Sequence, residues 1–298
     1  MTTESAAAGV PLGLEHQGEI ETALAALGHS MPAPAEHALS DPTFTNLYLF
    51  RRAHAYRYRP GALPCIAGHT YDGTRHLLPL FDVSTARPAE LRALLHDGAC
   101  FYPLTQAQAA ALDAARYEWT ASRNDADYLY PADHFRFYRG AKLNKKRNLM
   151  KQLLAAHDVS AAPYEPGDID AALQVLAGWM KAKAKAGGEA DKTPCTEALQ
   201  LAPHLGLRGF IYRAGAEPAG FVLAERLHPG VWVMRFAKGL DRFKGIYQFM
   251  FQHFCASLPD AHWLNFEQDM GLPNFRRSKL SYQPSALIPK FRVSLRAR

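Results

Sequence analysis

Short apolar runs and helical spacing alternate along the first half of the chain. Helices are predicted from 88 to 96 and from 105 to 116, where apolar residues recur every three or four positions. Strands are predicted where short apolar runs lie between turn-forming residues, at 54–59, 63–67, 75–81 and 99–104. This alternation predicts a mixed α/β (α+β) fold.

The second half has a different order of elements. Three apolar runs joined by short Gly- and Pro-containing turns predict an antiparallel meander. A helix is predicted to follow from 245 to 257. The meander strands are predicted at 207–213, 219–226 and 231–237, and after the helix come a strand at 263–266, a helix at 271–280 and a strand at 286–294.

The first 36 residues are rich in Ala, Pro and Gly and contain no Lys or Arg. They predict an acidic, flexible tail. Within it, Ile20, Leu24 and Leu27 recur at helical spacing ahead of Gly28, which leaves open a short docked helix with a glycine C-cap. Beyond the tail, the pattern predicts one domain over 37–158 and a second over 159–298.

A long helix is predicted from 137 to about 157, and its first half is strongly basic. Residues 136–151 contain seven Lys or Arg and no Asp or Glu. Such a cluster favours a phosphate backbone, although a solvated linker face has the same composition. Lys142, Lys145 and Lys146 share one helical face, with Arg139 one turn before. The residues predicted to bind nucleic acid are Arg139, Lys142, Lys145, Lys146 and Arg147.

Composition narrows the class of protein. The chain has 298 residues, 48% of them hydrophobic and 21% charged, which is typical of a globular protein. Its net charge of +6 and pI of about 9.1 favour an anionic partner. The four cysteines are scattered and the histidines form no ligand pattern, so no metal site is predicted. No apolar run is long enough to span a membrane and no signal peptide is apparent, which predicts a cytoplasmic protein.

The motif that carries a resemblance lies near the C-terminus. It consists of Asn265, Glu267, Asp269, Gly271, Leu272 and Pro273, then Arg276, Lys279, Leu280, Ser281, Tyr282 and Pro284, then 289–291. The resemblance extends upstream of this motif to residues 244–247, to the basic run and to residues 127–130. This pattern resembles the DUF2156 family, which is similar to the C-terminal domain of phosphatidylglycerol lysyltransferases. The resemblance implies two tandem GNAT-like acyltransferase domains with mixed, antiparallel-rich sheets, and a reactive site chiefly in the second.

The same motif supplies candidate catalytic residues. Acyl transfer needs a base for the attacking group, a donor for the oxyanion and help for the leaving group. Glu267 and Asp269 are two residues apart, so both carboxylates share a face if the strand continues; they are predicted to bind or deprotonate an amine. Lys279 and Tyr282 are predicted to stabilise the oxyanion or protonate the leaving oxygen. The alternative is that a carboxylate caps the following helix and pairs with a nearby arginine. The residues predicted to bind substrate are Asn265, Arg276, Arg277 and Ser281.

A degenerate loop stands where ordinary GNAT enzymes bind CoA. Those enzymes offer backbone N–H groups to a pyrophosphate from a Q/R-x-x-G-x-G/A loop at a helix N-terminus. Here Arg242, Lys244 and Gly245 are the candidate cofactor-binding residues, but Tyr247 takes the place of the last small residue. No cofactor is therefore predicted to be required.

Three functions remain open. The first is transfer of an aminoacyl group from charged tRNA to an amine or hydroxyl acceptor, which is a lipid headgroup, a peptide or a small molecule. The second is acyl-CoA-dependent N-acyl transfer to a small amine or peptide. The third is non-catalytic RNA binding on a GNAT scaffold. A peripheral contact with a membrane is compatible with the first.

Overall fold

The computed structural model describes residues 9–29, 38–96, 99–183 and 192–297. These residues form two compact units, and the chain passes between them more than once. The first unit contains residues up to Asp127, together with 268–271 and 288 onwards, and the second contains Tyr128–Glu267 and Leu272–Leu287. The sequence-based boundary at residue 158 therefore differs from the division in the structure.

A seven-stranded sheet forms the centre of the first unit, in the order β1-β2-β3-β4-β5-β14-β6. Within the described ranges, β4 pairs with β5 in parallel, and β1 with β2, β2 with β3, β3 with β4, β5 with β14 and β14 with β6 are antiparallel. The strands of this sheet are β1 Val10–Pro11, β2 Arg57–Arg59, β3 Cys65–His69, β4 Arg75–Pro79, β5 Cys100–Leu104, β6 Tyr117–Ala121 and β14 Phe291–Leu295. The helices of this unit are α1 Gln17–His29, α2 Phe44–Leu49, α3 Pro88–Leu95 and α4 Gln106–Ala110.

The apolar core of this unit combines side chains of the sheet with side chains of α3. Leu77, Phe101 and Val293 come from neighbouring strands and are almost fully buried, and they share a core with Leu91 and Leu95 of α3. The eight-residue helix α3 begins with Pro88, which suits a first helical position because its missing N–H would have no partner there.

A second seven-stranded sheet forms the centre of the second unit, in the order β13-β7-β12-β11-β10-β9-β8. The predicted meander is confirmed as β9, β10 and β11, and the predicted helix after it is confirmed as α9. The strands are β7 Asp127–Pro131, β8 Val159–Pro163, β9 Arg208–Ala214, β10 Glu217–His228, β11 Val231–Gly239, β12 Trp263–Asn265 and β13 Ala286–Ile288. The helices are α5 Ala132–Phe137, α6 Asn144–Ala156, α7 Ile169–Lys183, α8 Lys192–Leu201, α9 Ile246–Ser257 and α10 Pro273–Leu280.

Both sheets are mixed and mainly antiparallel, and each has helices packed with it, so the predicted α/β (α+β) fold with two mixed, antiparallel-rich sheets is confirmed. No helix in the described ranges is both long enough and apolar enough to cross a bilayer.

The strand predicted over 286–294 is divided in the structure. Its first part is β13 in the second sheet, and its second part is β14 in the first sheet. Pro289 stands between them; it has no N–H to donate to a ladder, so it ends one strand before the next begins. The last strand of the chain thus belongs to the first unit.

The predicted N-terminal tail also differs from the structure. Val10 and Pro11 pair with Tyr58 and Arg57, and the helical spacing noted above is realised as α1. Ile20 is fully buried, and the Tyr58 hydroxyl donates to the Glu19 carboxylate at 2.9 Å. The remainder of the predicted tail, 1–8 and 30–36, lies outside the described residues.

A buried lysine joins distant segments of the first unit. The Lys290 side chain is fully buried, and its Nζ lies 2.7 Å from the Asp127 carboxylate, which is also fully buried. Asp41 is a second ionic partner, and the Gln268 side chain accepts a hydrogen bond. The Ser40 N–H donates to Asp127 at 2.8 Å. Burial alone lowers the pKa of Lys290, but the two aspartates outweigh burial and raise it.

Replacing this lysine is expected to destabilise the protein strongly. Lys290→Met leaves Asp127 buried without its cation, and breaking a buried pair in this way costs about 3–5 kcal/mol. Urea unfolding measures the difference. The matched control is Lys145→Met, at an exposed lysine, with an expected change within about 0.5 kcal/mol. An unchanged free energy of unfolding for Lys290→Met would show that the ion pair is dispensable.

Candidate active site

The candidate site begins where two parallel strands of the second unit stop pairing. β11 and β12 pair from Val231 with Trp263 to Val233 with Asn265, after which β12 ends and β11 continues to Gly239. In an α/β sheet, ligands bind beside the end of a strand, because the strand no longer occupies the space next to its neighbour.

A β-bulge turns Arg235 towards this place. Ala224 of β10 pairs with Met234 and Leu223 pairs with Phe236, so Arg235 is the extra residue on β11. Bulges re-aim a side chain and are frequent beside active sites. The Arg235 side chain is fully buried, although most residues of its strand are apolar.

Two glutamates surround the buried guanidinium. Arg235 lies 2.7 Å from the Glu225 carboxylate and 2.6 Å from the Glu267 carboxylate. Burial tends to lower the pKa of Arg235, but the glutamates outweigh burial and raise it. The arginine therefore stays charged, and the three charged groups sum to one negative charge when both glutamates are ionised. Glu225 was missed in the sequence; a charged residue inside an apolar strand was the signal available.

The backbone at Glu267 is held in a left-handed conformation. Its φ is 56°, which is costly for a residue other than glycine and is found most often at functional sites. The Glu267 N–H donates to the Asn265 side chain at 2.6 Å, and its carbonyl accepts from the Tyr128 N–H at 3.3 Å. Asn265 is fully buried, so its observed contact stabilises this turn.

Lys279 reaches the same turn from α10. Its Nζ donates to the carbonyls of Phe266 at 2.6 Å and Glu267 at 3.1 Å. The Lys279 carbonyl accepts from the Tyr130 hydroxyl at 2.8 Å, which fixes the end of the helix. The Lys279 ammonium therefore meets the backbone of the Glu267 turn, while the Glu267 carboxylate pairs with Arg235.

Asp269 has a different set of partners. The strand ends at Asn265, so the expectation that Glu267 and Asp269 share one strand face is wrong. Asp269 is fully buried in the first unit, where it accepts from the Gly271 N–H at 2.9 Å and lies 3.3 Å from Arg123. These contacts stabilise the turn at Gly271. The N-cap residue of α10 is Leu272, without a side-chain cap.

Tyr282 lies in a buried cluster of aromatic rings. Its hydroxyl accepts from the Gln248 side chain at 2.7 Å, and the Lys146 Nζ lies 3.7 Å from its ring centre. Phe135 and Phe251 pack against the same ring. Burial raises the pKa of the Tyr282 phenol, so this side chain stays protonated.

The other residues predicted to bind substrate lie on α10 and at its end. Arg277 is exposed and Arg276 is half-buried. The Ser281 hydroxyl donates to the Ser278 carbonyl at 2.5 Å, which is a local contact at the end of the helix.

The predicted basic helix is broken in the structure. α5 ends at Phe137, the chain turns through Tyr138 and Gly140, both with positive φ, and α6 begins only at Asn144. Arg139 therefore lies in the turn rather than one helical turn before Lys142. The turn arises because Gly140 adopts a φ of 84°, which favours glycine.

The cations of this run have two kinds of surroundings. Arg139, Lys142 and Lys145 are exposed. Arg147 donates to the Tyr138 carbonyl at 2.7 Å, so it holds the turn between the helices. Lys146 is half-buried against Tyr282.

The degenerate cofactor loop is closed by contacts of its own. The Ile246 N–H donates to the Phe243 carbonyl at 3.0 Å, and a Cβ at Gly245 would collide with the Leu149 carbonyl. The Tyr247 hydroxyl accepts from the Gly239 N–H at 3.2 Å and lies 3.4 Å from the Gly239 carbonyl.

Arg242 pairs with Glu217 at the surface, and Lys244 is exposed. All four cysteines are buried, and no group of three or more His, Cys, Asp or Glu in the described ranges could hold a metal ion.

The half-buried Lys146 is expected to make stability depend on pH. Burial, with a smaller contribution from Lys145, lowers its pKa from 10.5 to about 8. Between those values the unfolded chain binds the proton more tightly than the folded one, so the contribution of this group to stability rises as pH increases from 8 to 10.5. Urea unfolding at several pH values should therefore show a smaller rise for Lys146→Met than for the wild type. The exposed control, Lys145→Met, should keep most of the wild-type dependence; equal dependence in wild type and Lys146→Met would contradict the assignment.

Comparisons with known proteins agree with this architecture. The chain has a TM-score of 0.79 and 21% identity to a protein of unknown function from Bacteroides thetaiotaomicron, over 96% of this chain and 98% of that one. A domain from Agrobacterium fabrum, assigned as the C-terminal domain (DUF2156) of a lysylphosphatidylglycerol synthetase, gives 0.61 and 13%, over 95% and 93%. L-PGS from Bacillus licheniformis gives 0.59 and 13%, over 97% and 94%.

No curated protein matched the chain in a sequence search. The profile of the phosphatidylglycerol lysyltransferase C-terminal family matches residues 33–294. The chain therefore belongs to this family, and it is an acyltransferase of the lysylphosphatidylglycerol synthase C-terminal type.

Proposed function

We propose that the chain transfers an aminoacyl group from charged tRNA to an amine or hydroxyl acceptor. The observation that carries the proposal is the cluster of Glu225, Arg235 and Glu267 beside the end of β12. The Glu267 carboxylate of this cluster is partly accessible, and a fixed carboxylate favours a cationic group such as the α-ammonium of an aminoacyl ester. Charged tRNA is a cytoplasmic donor, so the reaction is assigned to the cytoplasm.

The chemistry requires a proton to leave the acceptor and another to reach the departing ribose oxygen. As the acceptor attacks the ester carbonyl, the Glu267 carboxylate would take its proton or orient the α-ammonium. Lys279, whose ammonium already lies at the Glu267 carbonyl, would stabilise the oxyanion. As the ester C–O bond breaks, Lys279 would give a proton to the departing ribose oxygen and regain one from the protonated Glu267. Glu225 and Arg235 would hold Glu267 in place.

The acceptor is proposed to be a lipid headgroup. The family is named for phosphatidylglycerol lysyl transfer, and the comparison proteins from A. fabrum and B. licheniformis carry matching names. The positive charge of the chain favours an approach to an anionic lipid surface. A peptide or small amine is the alternative acceptor.

An acyl-CoA donor is less compatible with the contacts at the start of α9. Tyr247 occupies both backbone groups of Gly239, and Ile246 has already used its N–H on Phe243. A pantetheine chain and a pyrophosphate would need such groups as donors and acceptors.

A transfer assay tests the reaction. Purified protein is incubated with bulk tRNA charged with labelled amino acids and with phosphatidylglycerol vesicles, and label is followed into lipid, peptide and small-molecule fractions. Glu267→Gln and Lys279→Ala are expected to lower the rate by about 10² to 10⁴ without loss of fold, because each removes a positioned group. Glu217→Gln, at an exposed carboxylate on the same strand as Glu225, is the control and should keep the wild-type rate.

Asp269→Asn distinguishes chemistry from folding in this assay. Its pairing with Arg123 predicts a lower melting temperature with a largely retained rate. A rate loss as large as that of Glu267→Gln, at unchanged stability, would place Asp269 in the reaction. Label in no fraction, with all charged tRNA intact, would contradict the proposed function.

Calorimetry with acetyl-CoA tests the donor. The wild type is expected to give no binding heat because Tyr247 closes the strand edge at Gly239. Tyr247→Gly removes the hydroxyl and the ring and is the matched variant. Two results support the assignment: no binding to either protein, or binding to the variant alone. Micromolar binding to the wild type would favour the acyl-CoA alternative.

A further inference from the structure

An exposed aromatic ring stands in the middle of the basic run. The Phe137 side chain is 47% exposed, while its neighbours Phe135 and Tyr138 are buried. α5 ends here, and the turn through Tyr138 and Gly140 follows. The guanidinium carbon of Arg139 lies 4.3 Å from the centre of the Phe137 ring. The turn therefore presents a ring and a guanidinium stacked on each other.

The charged residues that follow Asp133 along the chain are basic over a long stretch. Between Asp133 and Asp158 the sequence contains no acidic residue. Lys142 and Lys145 are exposed beyond the turn. An isolated exposed apolar side chain needs no explanation. A ring stacked with a guanidinium and followed by exposed cations is a more specific arrangement.

We infer that Phe137 and Arg139 form a stacking platform for an unpaired nucleotide of the donor RNA, and this inference rests on the proposed function. Aromatic rings and guanidinium planes both stack on bases, while neighbouring cations meet phosphates. The exposed cations beyond the turn are placed in sequence to follow the backbone of a single strand.

A lipid surface fits the same residues less well. Interfacial binding needs several apolar side chains on one face of a helix. Phe137 is followed instead by a turn with Arg139, Gly140 and Lys142, all exposed. The next exposed large apolar residue along the chain is Leu154, near the end of α6.

Fluorescence anisotropy tests the stacking platform. The probe is a short single-stranded RNA that ends in CCA and carries a fluorescent label at its 5′ end. Phe137→Ala is expected to weaken binding by about 5- to 150-fold, the range for loss of one stacked base. Phe137→Trp should restore it. The slope of log affinity against log salt should not change, because no phosphate contact is lost. Lys142→Ala with Lys145→Ala should instead flatten that slope by about 0.7 for each contact.

Leu154→Ala is the matched control, since Leu154 is also 47% exposed and lies on the same basic segment. It should bind as the wild type does, and all variants should keep the wild-type melting temperature. Equal losses for Phe137→Ala and Leu154→Ala would overturn the stacking platform, as would wild-type affinity in Phe137→Ala. Loss of binding to phosphatidylglycerol vesicles, with RNA binding intact, would assign Phe137 to a lipid surface instead. Failure of the wild-type protein to bind RNA would overturn the tRNA donor itself.

Discussion

The buried guanidinium of Arg235 is the interaction on which the organisation of the candidate site depends. A charge removed from water must be compensated where it lies, and the two compensating carboxylates come from β10 and from the turn after β12. Three consecutive elements of the sheet are tied to one side chain in this way. The bulge in β11 and the left-handed backbone at Glu267 are the local conformations that bring these groups together.

This arrangement explains why the site is more than an exposed acidic motif. Glu267 is only partly accessible, and its backbone and side chain are both engaged. A group fixed in this way loses little freedom when substrate binds, which is the physical meaning of preorganisation. Tyr282, by contrast, contacts aromatic rings and Gln248, so its observed surroundings are those of a buried core residue.

Sequence patterns predicted the meander and α9, because each depends on local periodicity, and a short contiguous signature identified the family. The roles assigned to residues of that signature stay predictions. The sequence patterns did not predict Glu225 and Arg235 as partners, since pairing across a bulge depends on strand register that no local pattern encodes. Pro289 was visible in the sequence as a strand breaker, but the assignment of the following strand to the other sheet depends on long-range contacts. The Glu267–Asp269 expectation failed because a two-residue period applies only while a strand continues.

The place of β14 has a consequence for how the protein is made. β5 and β6 do not pair with each other; residues 291–295 lie between them and pair with both. A ribosome produces those residues after β5, after β6 and after every strand of the second sheet in the described ranges, so the first sheet stays incomplete while the second sheet is already available. The open edges of β5 and β6 are exposed to wrong partners during that interval. The first sheet is thus the later of the two to close, and β14 is the strand that closes it.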